Sequence, residues 1–149
     1  MEIVYYEDIE LHKKVSIGEH YVDKEEMVEF SRKWDAKPFH IDEELAKSYP
    51  VGGLIAPLTY TLSVISRLGS ISERDRIAFL AILEMERFQI FNSVRPGDQL
   101  VVTEEHLDKR ESHTNSDRGI VRTRNEVNNQ NGQVCVSVVS IALVAKRPA

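Results

Sequence analysis

The pattern of apolar and polar positions centres on the stretch from Val51 to Ser66, which carries no charge in a chain whose composition is 29% charged. Gly52, Gly53 and Pro57 interrupt it, and it is too short to span a bilayer. Pro57 suits the first turn of a helix, where its missing N–H costs nothing. From Leu58 onward the residues are apolar or small and hydroxylated on every face. A helix with no wet face must be covered on nearly every side. The pattern therefore predicts a buried central helix with a sheet wrapped around it.

The flanking elements follow from their own periods. Residues 1–14 are polar and mixed, with Tyr5, Tyr6, Ile9 and Leu11 as anchors, and Val15 and Ile17 suggest a short first strand. Asp23 and Glu26 stand in the relation of an N-cap and its third-position partner. Met27, Phe30, Ser31 and Trp34 recur at helical spacing, so 24–34 reads as an amphipathic helix that ends before Pro38. Asp42 caps a second short helix through Ser48. Ser70–Arg76 reads as a surface connection. Strands follow: one or two over Ile77–Phe91, then Leu100–Leu107, Gly119–Asn128 and Val134–Ala145. Arg95-Pro96-Gly97-Asp98 signals a turn, and Asn131-Gly132 a tight hairpin. The last strand is apolar on both faces, so it should lie centrally and be covered twice. The helix covers one face, and a second subunit is the simplest cover for the other. Helical pieces first and antiparallel strands after make an α+β pattern, expected to form a single domain over 1–149.

Composition narrows the function. The net charge of −5 argues against nucleic acid as the main partner. Cys135 is the only cysteine, so no internal disulfide forms, and on a buried strand it reads as a small core residue. Met1 and Glu2 open a polar run, so no secretory or transit segment is expected, and a cytoplasmic location is.

The chemistry-bearing piece lies just upstream of the buried stretch. Asp35 and His40 sit five positions apart on a loop stiffened by Pro38. A carboxylate and an imidazole on one loop can share a water, one taking a proton while the other gives one. Against this stands Asp35 as a turn residue and His40 as a half-buried, hydrogen-bonded histidine, and spacing alone favours that plainer reading. The start of the predicted helix offers unpaired N–H groups and the positive end of its dipole. Pro57 cannot donate, so Leu58 and Thr59 are the candidate backbone donors to an oxyanion. His12, His20, His106 and His113 lie in polar surroundings and read as solvated. Arg118, Arg122 and Arg124, with Lys109 and Arg110 near, read as a solvated charged face rather than a phosphate site. His40-Ile41-Asp42 finds no other ligand cluster for a metal.

Asp35-Ala36-Lys37-Pro38-Phe39-His40-Ile41-Asp42 resembles the D-x-[N/Q]-P-x-H segment of the MaoC-like acyl dehydratases, which include the (R)-specific enoyl-CoA hydratases. Gly52-Gly53-Leu54-Ile55-Ala56, opening a helix, is similar to that family's next segment. Pro96-Gly97-Asp98 and Asp117-Arg118-Gly119-Ile120-Val121 fall where related proteins have turns and strand starts, so the resemblance runs from Tyr6 to Arg147. It implies the hot-dog fold, a long central helix wrapped by a curved antiparallel sheet and usually paired into a dimer. It implies a hydro-lyase that adds water reversibly to a trans-2-enoyl thioester, giving an (R)-3-hydroxyacyl thioester. Asp35 then matches the carboxylate that activates water, and His40 the catalytic histidine, expected to deliver the proton. Ser66 corresponds to a serine near the site in some hydratases, although a packing role suits it better. No metal or redox cofactor is implied; coenzyme A or acyl carrier protein arrives as part of the substrate. The implied partners are an acyl thioester and a second copy of the chain, with neither nucleic acid nor membrane. Two features depart from the pattern: Lys37 stands where Asn or Gln is usual, and Pro57-Leu58 where His-Gly is frequent. The second departure also resembles the non-catalytic, substrate-binding subunits of heterodimeric dehydratases. A thioester-binding module and a hot-dog thioesterase are therefore the alternative readings.

Overall fold

The computed structural model describes residues 2–72 and 76–149. Five strands form one antiparallel sheet in the order β2-β5-β6-β7-β4. They are β2 (Val15–Tyr21), β4 (Phe79–Ile90), β5 (Gln99–Glu111), β6 (Arg118–Asn128) and β7 (Val134–Ala145). A separate parallel pair joins β1 (Ile3–Val4) to β3 (Arg76–Ile77). Helix α1 (Lys24–Trp34) is capped by Asp23, whose side chain accepts the Glu26 N–H at 2.9 Å. Two one-turn helices follow, α2 (Pro38–Ile41) and α3 (Glu43–Ala46), and the Asp42 side chain caps the second. Helix α4 (Leu58–Ile71) begins directly after Pro57. This is the expected α+β, hot-dog arrangement, with α4 laid along the sheet.

The main core gathers Tyr60, Val64 and Leu68 of α4 against Leu100 and Val102 of β5, Val127 of β6 and Val136 of β7. Tyr60 also anchors the helix to the edge strand β2, its hydroxyl 2.8 Å from His20 Nε2. Burial raises the Tyr60 phenol to about 12, so it stays neutral as a hydrogen-bonding group. His20 is thus held against the helix and is not the solvated histidine that its neighbours suggested. The helix itself is less covered than its sequence predicts. Thr59, Ser63, Ser66 and Arg67 are exposed in the single chain. Ser63 absorbs that exposure by bonding back to the Thr59 carbonyl at 2.8 Å. The helix also runs on to Ile71, so part of the expected connection at Ser70–Arg76 is helical, and residues 73–75 lie outside the described residues.

One helix cannot line the whole sheet. The 14 residues of α4 extend roughly 21 Å, whereas the 13 residues of β5 extend roughly 43 Å. The remainder is covered from the N-terminus, where Tyr6 and Ile9 pack on Val121 and Val144 as a second apolar cluster. Lys109 fastens this segment by donating to the carbonyls of Tyr6, Glu7 and Ile9 at 3.0–3.2 Å. Between the two clusters the same face of β6 turns polar. His106 lies half-buried with Nδ1 2.9 Å from the Thr123 hydroxyl, and Asn125 donates to Thr103 O. Burial lowers the His106 pKa, with Glu104 pulling it the other way. His106 is therefore a second histidine drawn into the fold.

Strand β7 lies between β6 and β4, interior as expected. Its outward Val139 is buried within one chain, flanked in register by Arg124 and Glu86, whereas Ile141 and Leu143 on the same face stay partly exposed. The basic residues expected to be solvated are paired. Arg122 bridges Glu86 and Asp108, Arg124 meets Glu105, and Arg118 meets Asp117.

Gly119 lies under the Tyr6 ring, and a Cβ at that position would fall 2.2 Å from two ring carbons. Only a residue without a side chain allows the second cluster to close. Gly119→Ala is expected to lower the unfolding free energy by about 1–3 kcal/mol, as overpacked cores do, read from a urea titration.

Candidate active site

The site is built by the chain's passage from α1 to α4. Helix α1 stops at Trp34, and Asp35 becomes its C-cap with its N–H on Ser31 O at 2.8 Å. Pro38 cannot continue that helix but can start another, so it opens α2. His40 sits on this short helix rather than on the open loop expected, and is only 5% exposed. Phe39 packs edge-on against its ring, with centroids 4.5 Å apart.

The extended segment before α4 carries no ladder of its own, so its polar groups bond sideways. The Ile55 N–H donates to Phe39 O at 3.1 Å, and the Ala56 N–H to Val94 O at 2.7 Å. Ile55 O lies 2.8 Å from His40 Nδ1. A carbonyl only accepts, so Nδ1 carries a proton and Nε2 is left to face the pocket. Nε2 stands 3.7 Å from Asp35 Oδ2, too long for a hydrogen bond and short enough for one water or substrate oxygen to touch both. The other carboxylate oxygen, Oδ1, accepts from Lys37 Nζ at 2.5 Å. The lysine that departs from the family pattern thus holds one edge of Asp35 and leaves the second edge to the histidine.

Asp35, His40 and Leu58 line one pocket of about 240 Å³. Phe39, Ile55, Ile90, Val94 and Val136 give it a mainly apolar wall. The start of α4 reaches it at Leu58. The N–H groups of Leu58 and Thr59 make no hydrogen bond within the protein among the described residues. Leu58 lines the pocket, whereas Thr59 is exposed and absent from its lining. Ser66 is exposed in the single chain and does not line the pocket. Thr61, Asn92 and Ser93 line the pocket instead, and the sequence reading passed over them. Thr61 had a signal, since it lies one helical turn from Leu58 and so on nearly the same face. Asn92 and Ser93 arrive from the loop before β5 and had none. Among the described residues, no three His, Cys, Asp or Glu side chains group closely enough to hold a metal ion.

This chain matches the family model for the MaoC like domain over residues 7–129, and it belongs to that family. It is similar to a MaoC-like dehydratase from Rhodospirillum rubrum at 28% identity, covering 97% of this chain and 99% of that one, with a TM-score of 0.90. The R-hydratase PhaJ1 from Pseudomonas aeruginosa shares the fold at 21% identity, covering 97% and 88% of the two chains, with a TM-score of 0.73. So does the HadBC (3R-hydroxyacyl-ACP dehydratase) complex from Mycobacterium tuberculosis, at 21% identity, 88% and 94% coverage and a TM-score of 0.72. No protein of curated function matches. No helix among the described residues is long and apolar enough to cross a membrane.

Arg95 secures the segment that orients His40. Its guanidinium donates to Val51 O at 2.5 Å and to Leu54 O at 3.4 Å, while its own N–H bonds to Asp98. Gly53 leaves room for it; a Cβ there would come 3.3 Å from the guanidinium. Arg95→Ala should cost about 1–3 kcal/mol, since charge-assisted bonds to half-buried carbonyls are lost. The measurement is hydrogen exchange at the Ile55 amide, expected to speed up far more than amides of β6.

Proposed function

We propose that this protein is an acyl thioester hydratase/dehydratase, adding water reversibly to a trans-2-enoyl thioester to give an (R)-3-hydroxyacyl thioester. The observation that carries it is the facing of Asp35 Oδ2 and His40 Nε2 across 3.7 Å in a mainly apolar pocket that ends at the free start of α4. The thioester carbonyl lies at that start, where the Leu58 N–H, backed by Thr59, stabilises the enolate oxygen with the helix dipole behind it. Asp35 Oδ2 takes a proton from the bound water as its oxygen bonds C3. His40, protonated on both nitrogens, gives the Nε2 proton to C2. The step leaves a protonated Asp35 and a neutral His40, and one proton passed between them through water restores the pair. Both groups act from one wall, so water adds to a single face of the double bond.

Lys37 and Ile55 fix the reacting pair from behind. The lysine holds Oδ1 and the carbonyl holds Nδ1–H, so each reacting atom is presented rather than free to turn. No metal or redox group enters this sequence; the thioester makes the C2 proton labile. Coenzyme A or acyl carrier protein serves as the handle of the substrate, which fits cytoplasmic acyl thioester metabolism.

The exposed edge supports a homodimer. Strand β4 ends the sheet and exposes Phe79, Leu80, Ile82, Leu83, Met85 and Ile90, each between 46% and 61%. An unpaired edge this apolar is a template for pairing with a second copy. Light scattering is expected to give the mass of a dimer, and Leu83→Asp to shift it toward the monomer at micromolar concentration. A monomeric parent protein at that concentration would remove the dimer.

The reaction is tested by mixing the protein with crotonyl-CoA and longer enoyl-CoAs and following the loss of enoyl absorbance. Asp35→Asn and His40→Ala should each lower kcat by about 10²-fold or more. Full activity in both variants would sink the mechanism. One observation favours a second reading: Leu58, a bulky residue where His-Gly is frequent in the family, lines the pocket that the thioester must enter. Tight binding of acyl-CoA with no turnover on any enoyl chain would make the protein a thioester-binding subunit instead.

A further inference from the structure

Thr61, Asn92 and Ser93 are polar residues of the pocket that the proposed mechanism does not use, and of the three only Thr61 is buried. It lies on α4 one turn inside Leu58 and is 2% exposed. Its N–H bonds to Pro57 O at 3.4 Å, but its hydroxyl has no partner within the protein among the described residues. Two residues on, Ser63 shows the ordinary solution, bonding back to the carbonyl four positions earlier. The equivalent carbonyl for Thr61 is that of Pro57, already taken by the N–H groups of Tyr60 and Thr61. The only fully occluded side-chain nitrogen or oxygen without a partner among the described residues is Asn128 Oδ1. The Thr61 hydroxyl therefore keeps a little open surface, and the space beside it is the pocket that also holds Asp35 and His40. A hydroxyl left bare among apolar side chains is unfavourable until something in the pocket bonds to it.

We propose that the Thr61 hydroxyl binds the oxygen at C3 of the acyl chain: the water oxygen that adds in hydration, and the 3-hydroxyl that leaves in dehydration. This rests on the hydratase reading above. The argument for C3 is one of depth. Leu58, at the outer end of α4, is 38% exposed, while Thr61 is shut in one turn deeper. The carrier must remain outside, so the thioester carbonyl stays near Leu58 and C3 lies further in. Oxygen at C3 has a proton for Asp35 and lone pairs to spare, and a threonine hydroxyl can donate to one of them. Thr61 is thereby a substrate-binding residue that fixes where the water stands.

Thr61→Val and Thr61→Ser separate this role from packing. Valine keeps the shape and removes the hydroxyl; serine keeps the hydroxyl. Thr61→Val is expected to lower kcat/KM on crotonyl-CoA about tenfold, the usual scale for one neutral hydrogen bond, and Thr61→Ser to recover most of it. The melting temperature of the ligand-free Thr61→Val protein should hold or rise, because a hydroxyl without a partner is gone. Equilibrium binding gives the decisive comparison, made with Asp35→Asn present in every protein. There Thr61→Val should weaken (R)-3-hydroxybutyryl-CoA about fivefold and leave butyryl-CoA, which lacks the C3 oxygen, within twofold. Equal weakening of both ligands, or a lowered melting temperature with unchanged kcat/KM, would overturn the assignment. Turnover by Asp35→Asn itself would overturn the reading of Asp35 instead, and the ratio of the two affinities would still report on Thr61.

Discussion

The Ile55 carbonyl is the point on which the site depends. It belongs to an extended segment that is neither helix nor strand, and Leu54 and Pro57 in that segment are buried. Backbone polar groups placed there cannot be left to water, so each must find a partner nearby. Those partners are the site: Phe39 O takes the Ile55 N–H, His40 Nδ1 takes the Ile55 oxygen, and Val94 O takes the Ala56 N–H. The demand that a buried segment be hydrogen-bonded thus also selects a histidine tautomer. Folding and preparation for chemistry are met by the same bonds, with Arg95 closing the segment from the other side.

The pocket that results is uneven in a useful way. Its walls are mostly carbon, and its polar residues come from the Asp35–His40 side, the first turn of α4, and Asn92 and Ser93 before β5. In such surroundings a charge or dipole acts more strongly than in water. Lys37 tempers this on the outer side. It is 58% exposed, so its pairing with Asp35 contributes little to stability, on the order of 1 kcal/mol or less. Its effect is directional: with Oδ1 occupied, Oδ2 is the edge of the carboxylate left for the pocket. An amide in this position could donate the same bond without the charge, which is why the departure from the family pattern alters the electrostatics of the mouth more than the geometry.

Much of this was legible in the chain, and the limits have physical causes. Caps at Asp23 and Asp42 were readable because capping is local, needing only a carboxylate three residues before an N–H. The Asp35–His40 pairing was readable because Pro38 restricts the few residues between them. Ser66 failed on rotation: at 100° per residue it lies roughly 140° around α4 from Thr61, on the wet side. The periodicity alone did not orient the helix, since hydroxylated residues occur on both sides of it. His20 and His106 were misread because flanking charges on a strand belong to the opposite face. The second core was hidden altogether. It needs Tyr6 to meet Gly119, and nothing local at either position announces a contact more than a hundred residues away.

The unpaired strand links the surface back to the pocket. β4 exposes a row of large apolar side chains, yet its last residue, Ile90, also forms part of the pocket wall. Bulges break its register with β7 three times, and Arg87 adopts a positive φ of 49° at the last of them. Each bulge re-aims the side chains that follow. Within the third, Phe88 packs partly buried against the main core, and beyond it Ile90 lines the pocket. A flat edge strand would have kept one alternation throughout and could not have served both places. The irregularity therefore does two things: it carries apolar surface outward along most of the strand, and it returns the strand's end to the site. The Ile90 end of β4 is thus common to the exposed edge and to the pocket wall, so cover laid over that end would also narrow the approach to Asp35 and His40.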